Sequence, residues 1–140
     1  MKISDVDLPE ALIDAQRRGT LVVFAGAGVS KDPPSKLPDF QTLADQVSDG
    51  TLERLKDEPL DRFLGRLEAR EVDVHGRTQE IIDNPDSKPN ALHRVLLSLF
   101  PSANNVRLVT TNFDRHFTLV AKELFLDEVD LFFAPALPLG

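Results

Sequence analysis

Apolar positions along this chain follow two rhythms, short unbroken runs and the i, i+3, i+4, i+7 spacing of a helix face. The run "TLVVFA", residues 20–25, is β-branched or apolar nearly throughout, as in a strand covered on both faces. "VRLVTTNFD", residues 106–114, predicts a second strand that breaks into a polar cluster, and "EVDLFFA", residues 128–134, a third. The remaining spacing is helical. Asp7 is placed to cap a first helix with Pro9 and Glu10 in its first turn, Leu12, Ile13 and Ala15 on its apolar face and Gly19 at its end. "FQTLADQVSDG" reads as a short helix ended by Gly50, and "DEPLDRFLGRLEAR" puts Leu60, Phe63, Leu64 and Leu67 on one face. "VHGRTQEIIDNP" is a weaker version, ended by Pro85. "KPNALHRVLLSLF" starts at Pro89, groups Leu92, Val95, Leu96 and Leu99, and stops at Pro101; "DRHFTLVAKELF" predicts the last helix.

Strand, loop, helices, strand, helix, strand is the order of an α/β domain with a parallel sheet and helical crossovers. In such sheets ligands sit outside the carboxyl ends of the strands, where both polar clusters, 26–39 and 110–114, fall. A length of 140 residues suits one modest core. The final stretch, "DEVDLFFAPALPLG", resembles a strand entering a turn, so the expectation is the N-terminal portion of a longer domain with a C-terminal continuation or an effector or sensor domain.

Composition narrows the classes. The net charge is −7 and the 16 basic residues form no stripe, which argues against broad nucleic-acid or anionic-membrane binding. With no Cys there is no disulfide and no thiolate zinc site. The N-terminus lacks an apolar signal core, and no apolar run reaches ~18 residues. A cytoplasmic protein without a membrane partner is expected.

Candidate chemistry begins at Gly26-Ala27-Gly28-Val29-Ser30. Glycines allow a backbone to approach a pyrophosphate closely, and a helix beginning at "GVS" would offer N–H groups to an anion. Position 31 is Lys31, so the G-x-G-x-x-G fingerprint is incomplete, and G-x-x-x-x-G-K-[ST] is absent. The alternative is a structural βα turn. Pro33, Pro34, Lys36 and Pro38 make the following loop extended and mobile, with Asp39 either a helix cap or part of a site. Asn112 and Asp114 either share a pocket or cap the next helix.

Taken in order, GAGxS, PDF (Pro38, Asp39, Phe40), P-N-x-x-H-x-x-L (Pro89, Asn90, His93, Leu96) and T-x-N-x-D (Thr110, Asn112, Asp114) resemble the sirtuin family, over about Leu21 to Asp114. The resemblance implies a Rossmann-like doubly wound parallel sheet, with residues 1–140 the N-terminal part of a sirtuin-like NAD-binding domain and a helical insertion at about 41–88. It implies that Gly26, Ala27, Gly28 and Ser30 lie against the phosphates of NAD, that Asp39 and Phe40 belong to the mobile cofactor loop, that Asp114 reads the nicotinamide amide, and that Asn112 is catalytic, positioning the ribose or a water. Breaking the nicotinamide–ribose bond develops oxocarbenium-like charge and needs no metal.

Gln41 and Thr111 stand where protein-deacylase sirtuins typically carry Arg and Gln, and "TTNFD" with an acidic helical insertion is more similar to bacterial sirtuin-like NAD hydrolases, many of them antiphage defence effectors. A deacylase and a catalytically inactive NAD or ADP-ribose sensor remain alternatives. The family's general-base His, in an His-Gly pair downstream of N-x-D, is not present by Gly140. His75-Gly76 lies upstream and reads as a solvated helix segment, His93 as a structural hydrogen-bonder, and His116 as the histidine nearest the site in sequence. Homo-oligomerisation is compatible with the sequence.

Overall fold

A computed structural model describes the backbone of residues 2–3, 5–126 and 129–132, and side chains from residue 5 onward. The chain divides into two compact units, one of residues Met1–Phe24, Ala91–Thr110 and Arg115–Gly140, the other of Ala25–Asn90 and Thr111–Asp114.

In the first unit β1 (Lys2–Ile3) pairs antiparallel with β2 (Val6–Asp7). Asp7 is therefore a strand residue and not the expected helix cap. Helix α1 (Glu10–Arg17) starts after Pro9, whose φ of −56° is set for helix entry, and no side chain caps it. Its end follows the sequence expectation. Gly19, at φ +68°, lets its N–H reach Gln16 O at 3.1 Å while Thr20 N–H reaches Ala15 O at 2.9 Å, closing the helix with the paired bonds of a Schellman motif.

Two short strands, β3 (Val23–Ala25) and β4 (Leu108–Thr110), form the second sheet. Val23 N–H donates to Arg107 O at 2.9 Å and Thr111 N–H to Ala25 O at 3.3 Å, the stepwise advance of a parallel pair. The chain is thus mixed α/β. The expectation that residues 20–25 are covered on both faces fails: Phe24 is 78% exposed, and Val22 and Val109 are exposed too. Side chains alternate across a strand, and of β3 only Ala25 is buried. Val129 to Phe132 form no strand, and residues 128, 133 and 134 of the expected third strand lie outside the described residues.

Helices α5 (Ala91–Leu97) and α6 (His116–Phe125) pack together. The buried face of the 91–100 segment is His93, Leu97 and Phe100, whereas Leu92 and Val95 of the predicted face are exposed. The cause is His93. Its ring meets Phe117 edge-on at 4.8 Å and His116 at 5.2 Å, so an imidazole takes the central packing position that a count of aliphatic residues assigns to its neighbours.

The second unit holds α2 (Phe40–Ser48), α3 (Leu60–Glu68) and α4 (Val74–Ile82). Their core is Leu43, Ala44, Val47, Phe63, Leu67 and Val74, with Leu60 and Leu64 packed against it as the spacing predicts. Helix α2 stops at Asp49 and Gly50, both in the left-handed region at φ 46° and 72°. Arg77 Nη1 donates to Val47 O at 2.8 Å, satisfying a carbonyl that the end of α2 leaves unpaired within the helix. Among the described residues no helix is long and apolar enough to cross a membrane.

The core of the second unit sets the first test. Leu67 is fully buried and Leu55 is 60% exposed. Leu67→Ala is expected to cost about 2–5 kcal/mol in urea denaturation, and Leu55→Ala within about 0.5 kcal/mol; equal effects would contradict this core.

Candidate functional site

The site grows from one backbone bond within the second unit. Because Thr111 N–H reaches Ala25 O at 3.3 Å, the segments that follow these residues, 26–30 and 112–114, leave side by side. Gly26 is extended, at φ −107° and ψ −176°, and Ala27–Ser30 form a 3-10 turn, the helical start expected at "GVS". Neither Gly26 nor Gly28 has a positive φ, and a Cβ at either would meet nothing within 4 Å. Backbone conformation and internal packing therefore do not require glycine here. What the two residues provide is an unobstructed backbone surface.

Ser30 is 1% exposed and organises the polar end of the site. Its Oγ donates to Asp114 Oδ2 at 2.8 Å and accepts from Asn112 Nδ2 at 3.3 Å. The N-cap position of α6 is Arg115, so neither Asn112 nor Asp114 occupies it. They share a pocket instead. A cavity of about 300 Å³ opens beside them, lined by Ala27, Ser30, Thr111, Asn112 and Asp114 and by the apolar Leu37, Pro38, Phe40, Leu43, Ile82 and Phe113.

Of the residues anticipated from sequence, Ala27, Ser30, Phe40, Asn112 and Asp114 come together on this lining, while Gly26, Gly28 and Asp39 are not part of it. Sequence reasoning missed Leu43 and Ile82, whose helical spacing marks them only as core. Phe113 carried a signal: a large apolar residue between two polar ones, it is 72% exposed. The volume is at the lower end of the roughly 300–1,000 Å³ of small-molecule sites. It suits one heterocycle with its sugar more than a whole dinucleotide. The lining combines apolar walls, which would suit a flat ring, with a hydroxyl, a carboxylate and an amide at one end.

The loop from Lys31 to Asp39 has anchors that its prolines do not announce. Ser35 and Leu37 are buried. Leu37 N–H donates to Ser30 O at 2.8 Å and Ser35 Oγ to Lys88 O at 2.7 Å. Side chains replace the ladder bonds that prolines cannot make. Asp39 acts as the cap of α2, its Oδ1 accepting from Thr42 N–H at 2.9 Å, and its Oδ2 pairs with Lys31 Nζ at 2.8 Å. The hydrogen bond from Lys31, then the Thr42 N–H, hold this carboxyl well below the usual aspartate range, and Asp39 in turn raises Lys31.

The histidines separate by environment. His75 is exposed, as expected, with Nε2 3.4 Å from Glu68 Oε1. Its neighbour Gly76 has a local reason to be glycine, since a Cβ there would collide with the Asp73 carboxylate that caps α4. His93 and His116 are buried, ring against ring, in the first unit.

The Lys31–Asp39 pair sets the second test. A depressed carboxyl stabilises the α2 cap above the normal aspartate pKa, and that contribution is lost as pH falls through the lowered value. Carboxyl-carbon NMR should place the Asp39 midpoint below that of a normal aspartate, and Lys31→Ala should raise it; an unmoved midpoint would remove the pair as the cause. No family model, no curated protein and no solved structure matches the chain, so what the site can do follows from its own residues.

Proposed function

We propose that this chain is the NAD-binding part of a sirtuin-like, Rossmann-like doubly wound domain, and that its site serves cleavage of the nicotinamide–ribose bond. The observation that carries this is the cluster of Asn112 and Asp114 hydrogen-bonded through the Ser30 hydroxyl on the wall of a largely apolar cavity. Two residue blocks far apart in sequence, GAGxS and T-x-N-x-D, supply the whole cluster.

In this reading Asp114 accepts from the carboxamide of nicotinamide, and Phe40 and Phe113 flank the ring. Open backbone at Gly26 and Gly28 receives the phosphates. The reaction breaks the bond between ribose C1′ and the pyridinium nitrogen, whose electron pair stays with the leaving nicotinamide. Water adds to C1′ and loses its proton to a base or to solvent, giving ADP-ribose. Asn112 orients that water or the ribose hydroxyl, and exclusion of bulk water by the apolar wall favours the step. The biological setting proposed is a cytoplasmic NAD hydrolase of the antiphage-defence kind, working with a further domain. Gln41, and Thr111 on the cavity lining, disfavour a protein deacylase.

One observation favours binding without turnover. His93 and His116 are buried against each other and Phe117, and His75 is on the exposed face of α4, so none is seen as the base such a reaction uses. The two readings divide on one pair of measurements, titration calorimetry with NAD and chromatographic detection of released nicotinamide.

NAD should bind in both cases, with release only for the hydrolase. Asn112→Ala should abolish any release. Asp114→Asn should weaken binding by about 10- to 100-fold, the worth of a hydrogen bond to a charged group. Gly28→Ala should leave the urea midpoint unchanged and weaken NAD binding at least tenfold. Absence of NAD binding by the wild-type chain would overturn both readings.

A further inference from the structure

Three carbonyls in and just after the Ser30 turn are held from outside it. Asn90 Nδ2 donates to Val29 O at 2.7 Å and to Asp32 O at 3.3 Å, and Leu37 N–H donates to Ser30 O at 2.8 Å. The residues just before Asn90 grip the same loop. Lys88 O accepts from Ser35 Oγ at 2.7 Å, and Ser87 Oγ donates to Ser35 O at 2.6 Å. Segment 87–90 is thus a strap across residues 29–37, and all of these contacts lie within the second unit.

Asn90 is 4% exposed, and a buried amide is costly unless bonded. One NH₂ group serving two carbonyls constrains the distance between them. Those carbonyls belong to residues on either side of Ser30. The Val29 carbonyl belongs to the peptide that enters Ser30, so its rotation would swing the Ser30 Cβ and draw the hydroxyl away from Asp114, where it now donates at 2.8 Å. The bond to Asp32 O ties down the chain that leaves the turn. Burial has the same consequence, because Ser30, at 1% exposure, has no water-facing alternative for that hydroxyl.

We infer that Asn90 is a positioning residue for the cavity: its side-chain amide sets the Ser30 turn so that one hydroxyl bridges Asn112 and Asp114. Asn90 acts through Ser30, since it is not on the cavity lining. The affinity arm of the test rests on the NAD reading above; the exchange arm does not.

The variants are Asn90→Ala, Asn90→Asp, Ser30→Ala and the Asn90→Ala/Ser30→Ala double. Asn90→Asp keeps the shape while removing the donor at neutral pH, and serves if Asn90→Ala does not fold. Hydrogen exchange at the Leu37 amide should accelerate at least tenfold in both Asn90 variants, while the Phe63 and Leu67 amides of α3 keep wild-type rates. By calorimetry, losing Asn90 should weaken NAD at least tenfold with Ser30 present and less than twofold in the Ser30→Ala background, the non-additivity of residues acting as a unit. Equal losses in the two backgrounds, or unchanged exchange at Leu37, would overturn the role. If the wild-type chain does not bind NAD, the functional reading falls and the Leu37 exchange alone decides on Asn90.

Discussion

The parallel pairing of two three-residue strands is the constraint on which the site depends. A parallel pair cannot be closed by a hairpin, so the chain must leave Ala25 and travel far before Leu108 can lie beside β3. That long crossover contains α2, α3 and α4 with a core of their own. The register, set by Val23 to Arg107 and Thr111 to Ala25, brings the glycine turn and the N-x-D tail to the same place. Shifting the register would separate Ser30 from Asp114 however well each segment were formed.

Such short strands supply few ladder bonds, and side chains carry the rest of the junction. The Ser30–Asp114 bond joins residues 84 apart in sequence, and Asn112 joins the same hydroxyl across 82. Closing loops of that size costs chain entropy that grows only slowly with length. Burial of Ser30 favours the closure, because a hydroxyl removed from water needs its partners. The exposed Lys31–Asp39 pair is of a different kind. Screened by solvent, it adds little on its own, and its value is local, where Asp39 also caps α2.

The cavity joins two surfaces with different energetic tendencies. Its apolar wall includes Phe40, 45% exposed, and Phe113, 72% exposed, side chains that would gain by meeting a flat partner. Its polar corner is already hydrogen-bonded, so a ligand entering there finds groups oriented in advance. The loop over this corner is held by Ser35, Ser87 and Asn90, and a proline-rich segment thereby gains a defined shape without regular backbone bonding.

Much of the local structure is legible in the sequence. The apolar spacing of Leu60, Phe63, Leu64 and Leu67 marks α3, Gly19 and Gly50 mark helix ends, and the two polar breaks after apolar runs mark the site segments, because each of these features follows from the geometry of one turn or one strand. Asp7 departs from its expected role because the antiparallel pairing with Lys2 claims it, and the expected Leu92 and Val95 face of α5 because His93 takes the buried centre. Asp7 pairs locally with Lys2, whereas the ring partners of His93 (His116 and Phe117) and the anchors of the 31–39 loop (Lys88 and Asn90) come from distant segments. Leu43 and Ile82 show the same limit, since helical periodicity identifies a buried face but not which part of that face borders a cavity. By itself, then, the sequence determined the helices, their ends and the identity of the polar groups, all properties of contiguous residues. Only the tertiary structure decided that Asn112 and Asp114 meet Ser30, because that meeting is made by a parallel register no local pattern encodes.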